Sequence, residues 1–222
     1  MAIKEKTKRK ASSYASFSKG DLINAYMQLI LESEKTPESI YKFCKDLKIP
    51  ESQFYEHFGS FENLQKGIWD EFIHQALTVI SKSKEYQSFN KREKLLTFYF
   101  TFFEILTLNR SYILLTLKSP LDIPQLALLR NSFQEYISAL SELKTEEEEP
   151  IKHYSSKAVE ELAWAQFLVI LRFWIKDDSA RFEKTDVMIE KTINTTFDVV
   201  DTTPINSVID YAKFLFKETV NK

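Results

Sequence analysis

Apolar residues recur every three or four positions along most of the chain, the spacing that gathers them on one face of an α-helix. Leu22, Ala25, Tyr26 and Leu29 make the first stripe, with Ser18 placed to cap it. Ile40, Phe43, Cys44 and Leu47 make the second, and Thr36-Pro37 reads as its start because proline suits the first helical position. Pro50 predicts a short third helix ending near Phe58. After the Gly59-Ser60 break, Phe61, Leu64, Ile68, Phe72, Ala76 and Val79 mark a long fourth helix.

A polar stretch over 81–91 separates this compact group from a second region. The helix expected over 92–108 is apolar almost all round, through Leu95, Leu96, Phe98, Tyr99, Phe100, Phe102, Phe103 and Ile105. A helix without a polar face is buried on several sides, so it belongs at the centre of its domain. Pro120 and Pro124 bracket a predicted loop, and Leu126 to Leu140 carry the next helical stripe. The acidic run of Glu146 to Glu149 before Pro150 reads as a solvated loop. A second all-round apolar helix is expected over 156–175. Asp177, Asp178 and Ser179 end it and cap a helix bearing Ile189, Ile193, Phe197 and Val200. Thr203-Pro204 opens a last helix with Ile205, Val208, Ala212 and Leu215. No segment reads as a strand. The fold class is all-α, about ten helices, arranged as a basic flexible arm (1–17), a three-helix unit (18–64, its connector running to about 83) and a larger helical domain (84–222).

Composition removes several chemistries. Gly20, Gly59 and Gly67 are the only glycines in 222 residues, too few for a phosphate-cradling loop or a dinucleotide fingerprint. His57, His74 and His153 lie in different elements without metal-ligand spacing, and no serine or cysteine nucleophile motif is present. No enzyme activity, catalytic residue, metal or cofactor is expected. The single Cys44 fits a reducing cytoplasm, and no apolar run is long enough for an integral membrane segment. The formal net charge of −2 conceals an asymmetry. Lys4, Lys6, Lys8, Arg9, Lys10 and Lys19 against Glu5 put +5 on the first twenty residues, whereas residues 21–64 carry −4. The arm attracts polyanions; the three-helix unit behind it does not.

Helix, short turn, helix and hydrophobic connector is the helix-turn-helix plan, whose second helix enters the major groove. The stretch from Lys48 through Ile49, Pro50, Glu51, Ser52, Gln53, Phe54, Tyr55, Glu56, His57, Phe58, Gly59, Ser60, Phe61, Glu62 and Asn63 to Leu64 resembles the tetracycline-repressor (TetR/AcrR) family of transcriptional regulators. The resemblance rests on the spacing of Phe54-Tyr55, His57-Phe58, Ser60, Glu62 and Leu64, and on the interval from Leu29 to Ile40. It covers residues 19–80. The resemblance implies a dimeric repressor that binds a double-stranded DNA operator and is released by a small hydrophobic ligand. It places Tyr55 and His57 at phosphate-contacting positions and Gln53 at a base-reading one, chemistry that suits a glutamine facing an adenine edge. Lys42, Lys48 and Ser52 complete the candidate DNA-binding set. Four positions depart from the family pattern: Lys48 replaces the usual turn glycine, Glu51 and Glu56 add anions, and Phe61 replaces a common lysine.

For the larger domain, Phe98, Tyr99, Phe102, Phe103, Phe133, Trp164 and Phe167 are the candidate ligand-pocket lining, with Tyr99 or Tyr136 supplying a polar group. The helices over 156–175 and 182–200 are the expected homodimer contact. An alternative reading is a helical lipid- or hydrophobe-binding protein that keeps the fold but has lost operator binding. Phe173 to Ser179 and Phe182 to Thr185 resemble, over a short stretch, the lipid-binding proteins of coenzyme Q biosynthesis.

Overall fold

A computed structural model describes residues 16–117, 122–142 and 156–202. The arm up to residue 15, the loop at Pro120, the acidic run, His153 and the helix expected after Thr203 lie outside the described residues. Among the described residues the regular elements are all helical, as the periodicity predicts, and the fold is all-α: α1 (Lys19–Ser33), α2 (Ile40–Asp46), α3 (Glu51–Tyr55), α4 (Phe61–Ser81), α5 (Lys91–Leu108), α6 (Arg110–Thr116), α7 (Ile123–Glu142), α8 (Ser156–Lys176) and α9 (Glu183–Thr202). The chain divides into two compact units, Met1–Leu64 and Gln65–Lys222, with the division inside α4.

In the first unit, Ser18 caps α1 through a capping box, its hydroxyl accepting from the Asp21 amide while the Asp21 carboxylate accepts from Ser18. Leu22, Tyr26 and Ile30 follow at four-residue intervals and are buried. Thr36-Pro37 does not start α2. Ser39 does: its backbone is extended and its side chain accepts from the Lys42 amide, one of the donors left free at a helix start. The core is a set of rings meeting edge to face: Phe43 lies 6.1 Å from Tyr26, 6.1 Å from Phe54 and 5.7 Å from Phe61. The third helix is shorter than expected, ending at Tyr55, and Phe58 is buried from the turn that follows.

The second unit is built around α5. Asn90 caps it, again with a reciprocal box to Glu93, and it buries Leu95, Phe98, Tyr99, Phe102, Phe103, Ile105 and Leu106. The α4 stripe continues through Ile80 and not Val79. Four residues beyond Ala76 return to the buried face, whereas Val79 is 54% exposed. Pro124 sits in the first turn of α7, not in the preceding loop; there its missing N–H has no intrahelical partner to lose. The short α6 was not legible in the pattern, since it interrupts the apolar run with Asn109 and Arg110.

A polar corner joins α8 to α9. The Arg110 guanidinium donates to the carbonyls of Trp174 (2.9 Å) and Ile175 (3.0 Å) at the end of α8, where the Trp174 carbonyl also accepts from the Asp177 amide at 3.2 Å. It also lies over the Trp174 and Phe182 rings at 4.4 and 4.7 Å. The buried Asp177 carboxylate accepts from the Ser179 amide and hydroxyl and from the Thr185 amide and hydroxyl, at 2.6–2.9 Å. Burial pushes the Asp177 pKa up, but the Ser179 and Thr185 donors together outweigh it and hold it at about 2. A carboxyl depressed in the folded state stabilises the fold above its unfolded pKa and loses that contribution as pH falls through the folded value. Asp177→Asn is therefore expected to destabilise the chain by about 2 kcal/mol near neutral pH. The difference from the parent shrinks between pH 4 and pH 2, as measured by urea denaturation across that range.

Candidate nucleic-acid interface

The turn between α2 and α3 is closed by the end of α2. The Lys48 amide donates to the Lys45 carbonyl and the Ile49 amide to the Cys44 carbonyl, both at 3.0 Å, and the Ile49 side chain is buried. Lys48 takes φ 58°, the left-handed conformation that glycine adopts without strain. This is the position where the sequence resemblance expects glycine, and the backbone keeps the glycine geometry with a lysine in it. Pro50, with φ −71° and ψ 147°, then directs the chain into α3.

Phe54 points the inner face of α3 into the ring cluster and is fully buried. Ser52, Tyr55 and Glu56 are exposed, Tyr55 by 53%. Gln53 and His57 stand four residues apart on the flank between these faces. Both engage one residue ahead of α1: Gln53 Oε1 accepts from the Phe17 amide at 3.3 Å, and His57 Nε2 contacts the Phe17 carbonyl at 3.1 Å. A carbonyl only accepts, so Nε2 carries the proton. Of the six candidate residues, Lys48, Ser52, Gln53, Tyr55 and His57 thus share α3 and its flanking turns. Lys42 lies on α2, where its ammonium reaches Glu38 at 3.2 Å between exposed side chains. The contact with Phe17 was missed in the sequence, where the only trace of it is the four-residue spacing of Gln53 and His57.

In the second unit the seven candidate pocket residues are all buried and form one continuous ring cluster. Phe98 stacks on Phe102 at 5.5 Å, Tyr99 meets Phe133 at 6.2 Å, Phe103 meets Phe167 at 6.0 Å, and Phe167 packs on Phe133 and Trp164 at 5.2 and 5.4 Å. Two hydroxyls enter the cluster. Tyr99 donates to the Ala163 carbonyl at 3.0 Å, and Tyr136, stacked on Phe98 at 4.0 Å, lies 3.4 Å from the Tyr86 hydroxyl. Burial raises the pKa of both phenols, so both stay protonated. Separately, an open groove of about 430 Å³ lies at the α8–α9 corner, lined by the apolar Val169, Phe173 and Met188 and by the charged Lys176, Asp178 and Lys184 among others. Among the described residues no three His, Cys, Asp or Glu side chains converge as a metal site would need, and no helix is long and apolar enough to cross a membrane.

Residues 94–215 match the family model for the tetracyclin repressor-like C-terminal domain. The match takes in more than half of the chain, and the protein belongs to the tetracycline-repressor family. No curated protein sequence matches the chain.

The turn geometry carries a prediction that separates stability from charge. Lys48→Gly is expected to raise stability by about 1 kcal/mol, by relieving the left-handed strain. Lys48→Ala keeps that strain and gives no gain. Urea denaturation of the three chains measures the difference.

Proposed function

We propose that the protein is a dimeric, cytoplasmic DNA-binding transcriptional regulator, a repressor released from its operator by a small hydrophobic ligand. The observation that carries this reading is α3. It is a five-residue helix set off from α2 by a tight turn, with Phe54 inside and Ser52 and Tyr55 outside. A helix too short to be stable alone, held by one buried ring, presents polar groups that the core does not use, which is the construction of a recognition helix. Membership of the tetracycline-repressor family over 94–215 supports the same reading from the other end of the chain.

Phosphate contacts fall to Lys42, Lys48, Ser52, Tyr55 and the basic segment before residue 16, which must also offset Glu51 and Glu56. The ligand, in this reading, lodges among the α5, α7 and α8 rings, with Tyr99 and Tyr136 as its polar contacts. The homodimer forms through α8 and α9, where Val169, Phe173 and Val187 are 44%, 37% and 47% exposed.

Glu51 on α3 and Glu56 just after it favour a second reading, a hydrophobe-binding protein of the same fold without an operator. A sequencing-based selection on duplex DNA at about 50 mM salt distinguishes the two. Enrichment of a sequence supports the regulator. No enrichment, together with co-sedimentation with anionic vesicles, supports the second reading. Where a sequence is enriched, Lys42→Ala and Lys48→Ala are each expected to weaken binding to all duplexes alike and to reduce the salt slope by about 1. Phe173→Glu is expected to shift the sedimenting species from twice the mass of one chain to one chain, because it puts a charge in the apolar contact.

A further inference from the structure

We propose that Gln53 and His57 are positioning residues that clasp the Phe17 peptide to α3 and so fix where the basic N-terminal segment leaves the recognition helix. The proposal rests on the DNA-binding reading for what that segment meets; the clasp itself rests on contacts within the chain.

The two side chains take both polar groups of one residue. Gln53 Oε1 holds the Phe17 amide and His57 Nε2 holds the Phe17 carbonyl. Four residues, about one helical turn, separate the two side chains, which meet the amide and the carbonyl of the same residue. The next residue is held as well: the Ser18 amide and hydroxyl donate to Asp21 at 2.9 and 2.7 Å, and the Ser18 carbonyl accepts from the Leu22 amide. Backbone donors and acceptors at Phe17 and Ser18 are thereby all engaged, and the chain enters α1 with its direction set by α3 on one side and by the α1 cap on the other.

The consequence concerns the basic residues ahead of it in the sequence. Lys10 is seven residues from Phe17, and Lys4, Lys6, Lys8 and Arg9 precede it. Fixing the root next to α3 raises the effective concentration of these cations at whatever backbone α3 meets. The clasp also redistributes the roles on α3. A glutamine reading adenine uses its oxygen and its nitrogen together, and the Gln53 oxygen is engaged with Phe17. Contacts to DNA then fall to Ser52 and Tyr55, and Gln53 and His57 act through the segment they hold.

Two measurements on the full-length chain test this. Amide hydrogen exchange at Phe17 is expected to accelerate roughly 3–10-fold in Gln53→Ala and in His57→Ala, the loss of one modest hydrogen bond, and to return in His57→Gln, whose amide also donates. Unchanged exchange overturns the clasp. For binding, a labelled duplex from the selection is titrated by fluorescence anisotropy. Gln53→Ala is expected to weaken binding to all duplexes by a similar roughly 3–10-fold. It should add nothing in a chain whose Lys4, Lys6, Lys8, Arg9 and Lys10 are all replaced by Gln. A Gln53→Ala change in base preference that persists in that neutralised chain overturns the proposal in favour of direct base reading. If the parent chain binds no duplex, the regulator reading fails, and the exchange measurement alone decides the clasp.

Discussion

The insertion of Phe54 between Phe43 and Phe61 is the contact on which the first unit depends. A five-residue helix has too few internal hydrogen bonds to hold its own shape, so α3 exists only where tertiary packing imposes it. Phe54 supplies that packing from the centre of α3, with Phe43 arriving from α2, Phe61 from the start of α4 and Tyr26 from α1. Every other feature of the face is referred to this ring. The left-handed Lys48 and the extended Pro50 set the angle at which α3 arrives, and the flank bearing Gln53 and His57 is whatever remains beside the buried side.

The second unit solves a different problem. Two helices with almost no polar side, α5 and α8, are covered by α7 and α9, and their aromatic rings meet between them. Several polar groups that enter this interior do so with partners: the Tyr99 hydroxyl on a carbonyl, the Trp174 indole on Thr107 at 3.0 Å, and Gln166 on Thr196 at 3.0 Å. At the end of α8 the Arg110 guanidinium takes the Trp174 and Ile175 carbonyls, and the Asp177 carboxylate takes the Ser179 and Thr185 donors where the chain reverses into α9.

Much of this was legible in the sequence because it follows from period. The 3.6-residue repeat located the long helices, and the two all-round apolar segments were recognisable as central. What escaped was governed by single atoms. Ser39 outcompetes Thr36-Pro37 as the start of α2 because its hydroxyl reaches the Lys42 amide, a matter of local backbone angle that both candidates satisfy on paper. Ile80 displaces Val79 because the two differ by one step of helical phase. On the candidate interface, the resemblance located α3 and its polar residues, but the attachment of Phe17 to Gln53 and His57 joins residues 36 and 40 positions apart. No periodic signal spans such a distance.

The corner between α8 and α9 also limits what insertions and deletions the lineage can accept. Arg181 and Phe182 both hold left-handed angles without a glycine, at φ 56° and 58°, so the length of this reversal is fixed by conformation as well as by the bonds around Asp177. One residue gained or lost there would pull Ser179 or Thr185 away from the Asp177 carboxylate and displace the start of α9, whose Ile189 and Ile193 are fully buried. Across related chains the α8–α9 connection should therefore change in residue type far more readily than in length.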